Sequence, residues 1–272
     1  MPSEKRQRQD EGRMQRQMAQ QQMTKKQQRN RSLRGFGIVL ALVALVAIGI
    51  SVFSGGDDDG DDVATEGSTT TVADDTTATT TPGPAIGDTP CPPAEGAAEK
   101  TQTFTSGPQA CIDVTKTYTA VISTNKGDIT VELDAVNAPK TVNSFVFLAR
   151  NRFYEDVIFH RIIKGFMLQG GDPTGTGSGG PGYEIPDELP TGSPAYEIGS
   201  IAMANSGPNT SGSQFFIVVG DAGVNLDPNY SRFGKVTEGM EVATAIEAVG
   251  MESDPGTPSE EIKISKVTIT ES

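Results

Sequence analysis

The chain has 272 residues and a formal net charge of -13, a length that holds one or two domains and a charge that excludes a predominantly basic, nucleic-acid-binding surface. That charge is unevenly placed. Residues 1–34 hold ten Lys and Arg against three acids, a surplus of +7 that leaves -20 for the rest of the chain.

Residues 1–34 are rich in Gln and Arg and too poor in apolar side chains to build a core, so they are expected to be a basic cytoplasmic tail, disordered or helical. Their charge suits anionic lipid headgroups. Residues 35–53 follow as an apolar stretch, uncharged from Phe36 to Phe53. Those 18 residues, as a helix, would extend about 27 Å, close to the ~30 Å hydrocarbon core of a bilayer. A buried core helix would show a polar face and this stretch has none, so a single transmembrane helix is predicted. The positive-inside rule then keeps the tail in the cytoplasm and puts everything after Ser54 outside. A cleaved signal peptide is the competing reading. The long basic leader, and the lack of an A-x-A site after the apolar run, favour a retained single-pass anchor in the cell membrane.

Residues 54–90 are built of Asp, Thr, Gly and Pro, without the alternate acidic positions and terminal Glu of a calcium-binding EF-hand loop. A solvated, self-repelling disordered linker is expected. Cys91 and Cys111, 20 positions apart, are the only cysteines. With no C-x-x-C spacing and no histidine near them, on the side of the membrane where disulfides persist, they are predicted to form a structural bridge. Residues 91–117 would thus be a disulfide-tethered lead-in, the closed loop contributing about 3 kcal/mol in the chain-entropy description.

The folded domain is placed at 118–272. The stretch YTAVIST alternates, NKGD makes a turn with Gly127 available for positive φ, and ITVEL alternates back, which predicts a β-hairpin. Pro139 then opens an amphipathic helix with Val142, Phe145, Val146 and Ala149 on one face. Further strands are predicted at 158–163, 166–169, 200–204, 214–219, 232–236 and 262–270, with a second helix over EGMEVATAIEAV. Eight short strands and two separated helices make no βαβ units, so the class is mainly β, a closed antiparallel barrel capped by helices.

Exclusion narrows the chemistry. One histidine, His160, and two bridged cysteines do not supply a zinc site, so no metal and no cofactor are expected. No serine stands in G-x-S-x-G. GTGSGG, residues 175–180, does satisfy G-x-G-x-x-G, but Pro181 follows where a helix should open, and a flexible loop is the better reading.

Three stretches remain: FHRIIKGFMLQGGD at 159–172, MANSGPNTSGSQFFIVV at 203–219 and RFGKVTEGMEV at 232–242. They resemble the signature segments of the cyclophilin-type peptidyl-prolyl cis-trans isomerases, over residues 118 to 270. The resemblance implies an eight-stranded barrel closed by two helices and an active face that reads X-Pro bonds in extended or unfolded polypeptides. It gives Arg161 the role of donor to the prolyl nitrogen and the neighbouring carbonyl. Phe166, Met167 and Phe216 would floor the proline pocket, with Leu226 at its rim. Gln169 and Gln214 would orient Arg161 and the substrate backbone, and backbone groups near Ala204 and Asn205 would bind the residues before proline. His160 matches a pocket-lining histidine whose role is packing and hydrogen bonding.

Two departures from the family pattern stand out. Many members carry Trp just before the residue matched to Leu226 and His four residues after it; here Asn225 and Tyr230 occupy those places. The sequence is therefore read as a membrane-anchored, extracytoplasmic isomerase that assists protein folding, expected as a monomer, with no nucleic-acid partner. A non-catalytic module that docks proline-containing segments of the cell envelope is the first alternative, and a His160-dependent hydrolase the second.

Overall fold

The computed structural model describes residues 85–272; the expected tail, membrane span and most of the linker lie outside the described residues. Among the described residues, no helix is long and apolar enough to cross a membrane.

Strand β1 (Tyr118–Thr124) buries Tyr118, Ala120 and Ile122, and β2 (Gly127–Leu133) buries Ile129, Val131 and Leu133, the period of two that the sequence shows. Thr124 pairs with Gly127, whose φ of 128° closes the turn between them. Six shorter or later strands follow: β3 (Arg161–Ile163), β4 (Met167–Gly170), β5 (Ser200–Met203), β6 (Phe215–Val218), β7 (Arg232–Glu238) and β8 (Ile264–Glu271). They form one antiparallel sheet in the order β3-β4-β6-β5-β7-β2-β1-β8.

This sheet is an open half-barrel, a correction to the closed barrel expected from the sequence. No ladder joins its edges β3 and β8. Part of the reason is that residues 158–160, expected to extend β3, make only isolated bridges, Ile158 touching Asp172 on one side and Lys263 on the other. The rest is that β3 spends its outer edge on a loop. Ile162 N donates to Gly256 O at 2.7 Å, and Met251 N donates to Ile162 O at 3.0 Å. An edge covered by a loop has no backbone groups left for a further strand.

Helix α1 (Pro139–Arg150) begins with Pro139 and has no side-chain cap of its own. Glu188 supplies one from a distant loop, accepting from Lys140 N at 2.9 Å and from Thr141 N at 2.8 Å. The helix is less amphipathic than its sequence suggests, for residues 141–150 are all buried. Its inner face packs on the barrel, where Phe145 meets Tyr154, Phe215 and Phe233 with ring centroids 5.2, 5.8 and 5.1 Å away. Its outer face is covered by the lead-in, which is closed by the Cys91–Cys111 disulfide. A single turn, α2 (Asp221–Val224), was not expected, being shorter than any periodicity can show; α3 (Met240–Glu247) matches the second predicted helix.

Candidate active site

Alternation along short paired strands decides which side chains meet. Arg161 on β3 is opposite Gln169 on β4, Gln169 is opposite Phe216 on β6, and Phe216 is opposite Ala202 on β5. Cross-strand partners point to one face of a sheet, so these four form a row. Ile162, Leu168, Ile217 and Ile201, one position along each strand, fill the main core instead. On the site face a second, smaller core of Met167, Phe216, Val218, Ala202 and Tyr196 supports the floor.

Over that floor lies a cavity of about 180 Å³ lined by Arg161, Phe166, Met167, Gln169, Ala204, Asn205, Phe216, Leu226 and Tyr230. These residues come from four separated stretches of chain, and the sequence analysis had singled out every one. A larger groove of about 740 Å³ adjoins it, sharing Gln169, Ala204 and Asn205 and adding Gln214 and the glycine-rich loop 177–184. Arg161 lines the smaller cavity and does not line the groove.

Arg161 is held from three directions. Its Nε donates to Asp254 Oδ1 at 2.9 Å, and Nη2 lies 2.8 Å from the same oxygen. Nη1 donates to Gln169 Oε1 at 3.2 Å, and the guanidinium carbon stands 5.7 Å from the centroid of the Phe166 ring. Gln169 is itself fixed, its Nε2 donating to Gln214 Oε1 at 3.0 Å. Gln214 Nε2 in turn donates to the carbonyls of Gly177 and Gly179 at 3.0 and 2.9 Å. This relay sets the direction of each amide; Nη1 also donates weakly to Met167 Sδ at 3.9 Å, and Nη2, bonded to Asp254 alone, keeps an N–H for a substrate. Asp254, in the loop before β8, is the residue that the sequence analysis missed. Nothing local to Arg161 points to a partner 93 positions away.

The loop that receives Gln214 is organised by Asp172, which is shielded from solvent. Its Oδ1 accepts from Thr174 N at 2.7 Å and Thr174 Oγ1 at 2.8 Å, and its Oδ2 from Gly177 N at 2.6 Å and Gly179 N at 3.0 Å. Burial is the largest influence on this carboxyl and pushes its pKa up, but the donors at Gly179, Thr174 and Gly177 together outweigh it and bring the pKa down to about 2.

His160 does not line the cavity, a correction to its matching with a pocket-lining histidine. It precedes Arg161, and successive residues of an extended chain point to opposite faces, so its ring is directed away, close to Gly177. Both ring nitrogens are buried without a hydrogen-bond partner. Burial lowers its pKa first of all; Asp172 opposes that shift and Arg161 adds to it. A histidine so placed has no hydrogen-bonded serine or carboxylate, which the hydrolase alternative requires.

At the rim, Tyr230 stands edge-on to Phe216 at 5.4 Å, and its backbone N–H and carbonyl are both bonded to Tyr196 Oη, at 3.0 and 2.8 Å. Asn225 turns back on its own helical turn, Nδ2 donating to Asp221 O at 2.8 Å, and contributes nothing to the cavity lining. Ala204 N donates to Gln214 O at 2.9 Å, and Asn205 Nδ2 to Asn229 O at 2.9 Å, which hold the wall between cavity and groove.

The family model described as "Cyclophilin type peptidyl-prolyl cis-trans isomerase/CLD" matches residues 119–269, more than half of the chain and all eight strands at least in part. The chain belongs to the cyclophilin-type peptidyl-prolyl cis-trans isomerase family. This cyclophilin-type domain is 41% identical over 171 residues to peptidyl-prolyl cis-trans isomerase A of Mycobacterium tuberculosis (strain ATCC 25618 / H37Rv), covering 57% of this chain and 93% of that protein. It is 42% identical over 158 residues to peptidyl-prolyl cis-trans isomerase-like 1 of Gibberella zeae, covering 57% and 96%. Among solved structures it resembles a Cryptosporidium parvum cyclophilin type peptidyl-prolyl cis-trans isomerase crystallised in the presence of the dipeptide Ala-Pro. There the TM-score is 0.51, with 36% identity over 56% of this chain and 98% of that one. The lead-in, residues 91–117, falls outside the matched residues.

Proposed function

We propose that the chain is a peptidyl-prolyl cis-trans isomerase that turns X-Pro bonds of extended or unfolded polypeptides on the outer side of the membrane that anchors it. The observation that carries the activity is the small apolar cavity with a fixed guanidinium at its wall. Rotation about X-Pro is opposed by partial double-bond character, a barrier of about 18–20 kcal/mol, and no bond is broken. A catalyst needs no nucleophile. It must weaken amide resonance and hold the twisted state.

Raising a rate from about 10⁻² to about 10² per second requires 5–6 kcal/mol, roughly. A hydrogen bond to a charged group contributes about 1.5–3 kcal/mol, so Arg161 supplies part of this by donating to the prolyl nitrogen as it becomes pyramidal and to the adjacent carbonyl. Because Gln169 and Asp254 already hold the guanidinium, little reorganisation is needed at the moment of rotation. Phe166, Met167 and Phe216 would take the proline ring and exclude water, and the groove beyond Ala204 and Asn205 would take the residues preceding it.

The location is supported by the basic tail, the uncharged run of residues 36–53 and the Cys91–Cys111 disulfide, which belongs to an oxidising compartment. The activity is tested with the full chain on a peptide with a slowly exchanging X-Pro bond. The wild type should accelerate exchange, and Arg161→Ala should lose about 10²-fold, the scale of removing one preorganised donor. A folded Arg161→Ala variant with wild-type activity would overturn the reading.

A further inference from the structure

The lead-in is no part of the matched family segment, which begins at residue 119, yet it packs behind the wall of the larger groove. Closed on itself by the Cys91–Cys111 disulfide, it is fastened along α1. Cys111 N donates to Asn143 Oδ1 at 2.7 Å, and Asn143 Nδ2 donates to Gln109 O at 2.8 Å. Ala97 N donates to Arg150 O at 2.7 Å, and Thr101 N to Asn151 O at 3.0 Å.

Between those anchors Phe104 crosses to the larger groove. Its N–H donates to Pro181 O at 2.8 Å, and its ring packs on Phe147 at 4.8 Å and edge-on to Tyr183 at 6.3 Å. Gly182, with φ of 97°, lies so close that a Cβ there would run into the Phe104 carbonyl. Pro181, Gly182 and Tyr183 also line the groove. Phe104 therefore stands behind the wall whose inner side faces the site.

That wall needs support. Residues 175–183 read GTGSGGPGY, five glycines in nine positions, three of them at positive φ. Such a chain loses more backbone freedom on ordering than any other. If the wall moved freely, each substrate would have to order it on binding. Asp172 holds the near end of the loop, through Thr174, Gly177 and Gly179, and Phe104 holds the far end.

We propose that residues 91–111 are a specificity element of the isomerase: Phe104 braces the groove wall and so sets the affinity for polypeptide residues flanking the proline, while the bond itself turns in the smaller cavity. This rests on the isomerase reading. Phe104 is a positioning residue, and its effect belongs in KM for long substrates, because preordering the wall aids bound ground state and transition state alike.

The test compares two substrates on the full chain by NMR exchange: a blocked Ala-Pro dipeptide, which fits the small cavity, and a peptide extending several residues on both sides of proline. Phe104→Ala should raise KM for the long peptide roughly three- to tenfold with little change in kcat, and leave kcat/KM for the dipeptide within about twofold of wild type. Phe104→Leu, which keeps an apolar side chain behind the wall, should recover most of the lost affinity. The double variant Cys91→Ser/Cys111→Ser should shift the long-peptide KM in the same direction. Should that variant fail to fold, Phe104→Ala with its disulfide intact still decides the matter. An unchanged long-peptide KM in Phe104→Ala, or equal losses on both substrates, overturns the proposal. A wild-type chain that accelerates neither substrate overturns the isomerase reading itself, a distinguishable result.

Discussion

Arg161 and His160 are neighbours in the chain with opposite surroundings, and the difference separates two kinds of chemistry. Arg161→Lys keeps the charge but loses the planar fork that engages Asp254 and Gln169 together, so it should recover little of the activity lost in Arg161→Ala. Steady-state rates near those of wild type in Arg161→Lys would show that charge alone suffices. His160 has its pKa lowered chiefly by burial, and neither ring nitrogen has a hydrogen-bond partner through which to pass a proton. Activity should accordingly stay flat between about pH 6 and 8, and His160→Gln should cost far less than Arg161→Ala. A sigmoidal pH–rate profile through that interval would contradict this. Sequence reasoning found the cavity residues because most of them stand in contiguous motifs, as Arg161, Phe166, Met167 and Gln169 do within 14 positions. It missed Asp254 because a single acidic side chain in a loop has no periodicity and no motif to mark it.

At the level of elements, two carboxylates, the half-buried Glu188 and the buried Asp172, hold backbone N–H groups of neighbouring segments. Glu188 caps α1 in the absence of any side chain from Ala138, so Glu188→Gln should destabilise the domain by about 0.5–2 kcal/mol in denaturant titration. Asp172 has a folded pKa of about 2 against an ordinary 3.8, which corresponds to roughly 2 kcal/mol of stability. Since the folded value is the lower one, that contribution is present above about pH 4 and is lost as pH falls through about 2. Asp172→Asn should be less stable than wild type at pH 7, with the gap closing at low pH; a gap independent of pH would show that the charge is not the cause. β1 and β2 were legible through alternation, whereas β5 and β6, buried at every position, were legible as short apolar runs. The openness of the sheet was not, because closure depends on whether β3 and β8 meet, and that is settled by the loop bonds of Ile162. The burial of both faces of α1 was hidden for a similar reason: the cover comes from residues with little hydrophobic pattern, chiefly Phe104 and the cysteine loop.

For the whole molecule, the charge asymmetry and the disulfide make one joint expectation. Protease added to intact cells should release a fragment that begins within residues 54–90 and carries the Cys91–Cys111 bridge. Protection of that linker, or recovery of both thiols in free form, would overturn the proposed orientation. The released domain should lose about 3 kcal/mol on reduction, measured as a lower denaturant midpoint, in the chain-entropy description.

The pairing of β1 with β8 sets Tyr118 beside Glu271, and Thr117 and Ser272 exchange both of their backbone hydrogen bonds. During synthesis the first strand thus waits for the last. The cysteine loop joins residues only 20 positions apart and can close early, whereas β1 has no partner on its outer edge until β8 is made. Throughout that interval β1 and β2 present an unpaired edge, a state prone to association with other chains. An isomerase built in this order is, until its last strand pairs, the kind of extended polypeptide it would serve.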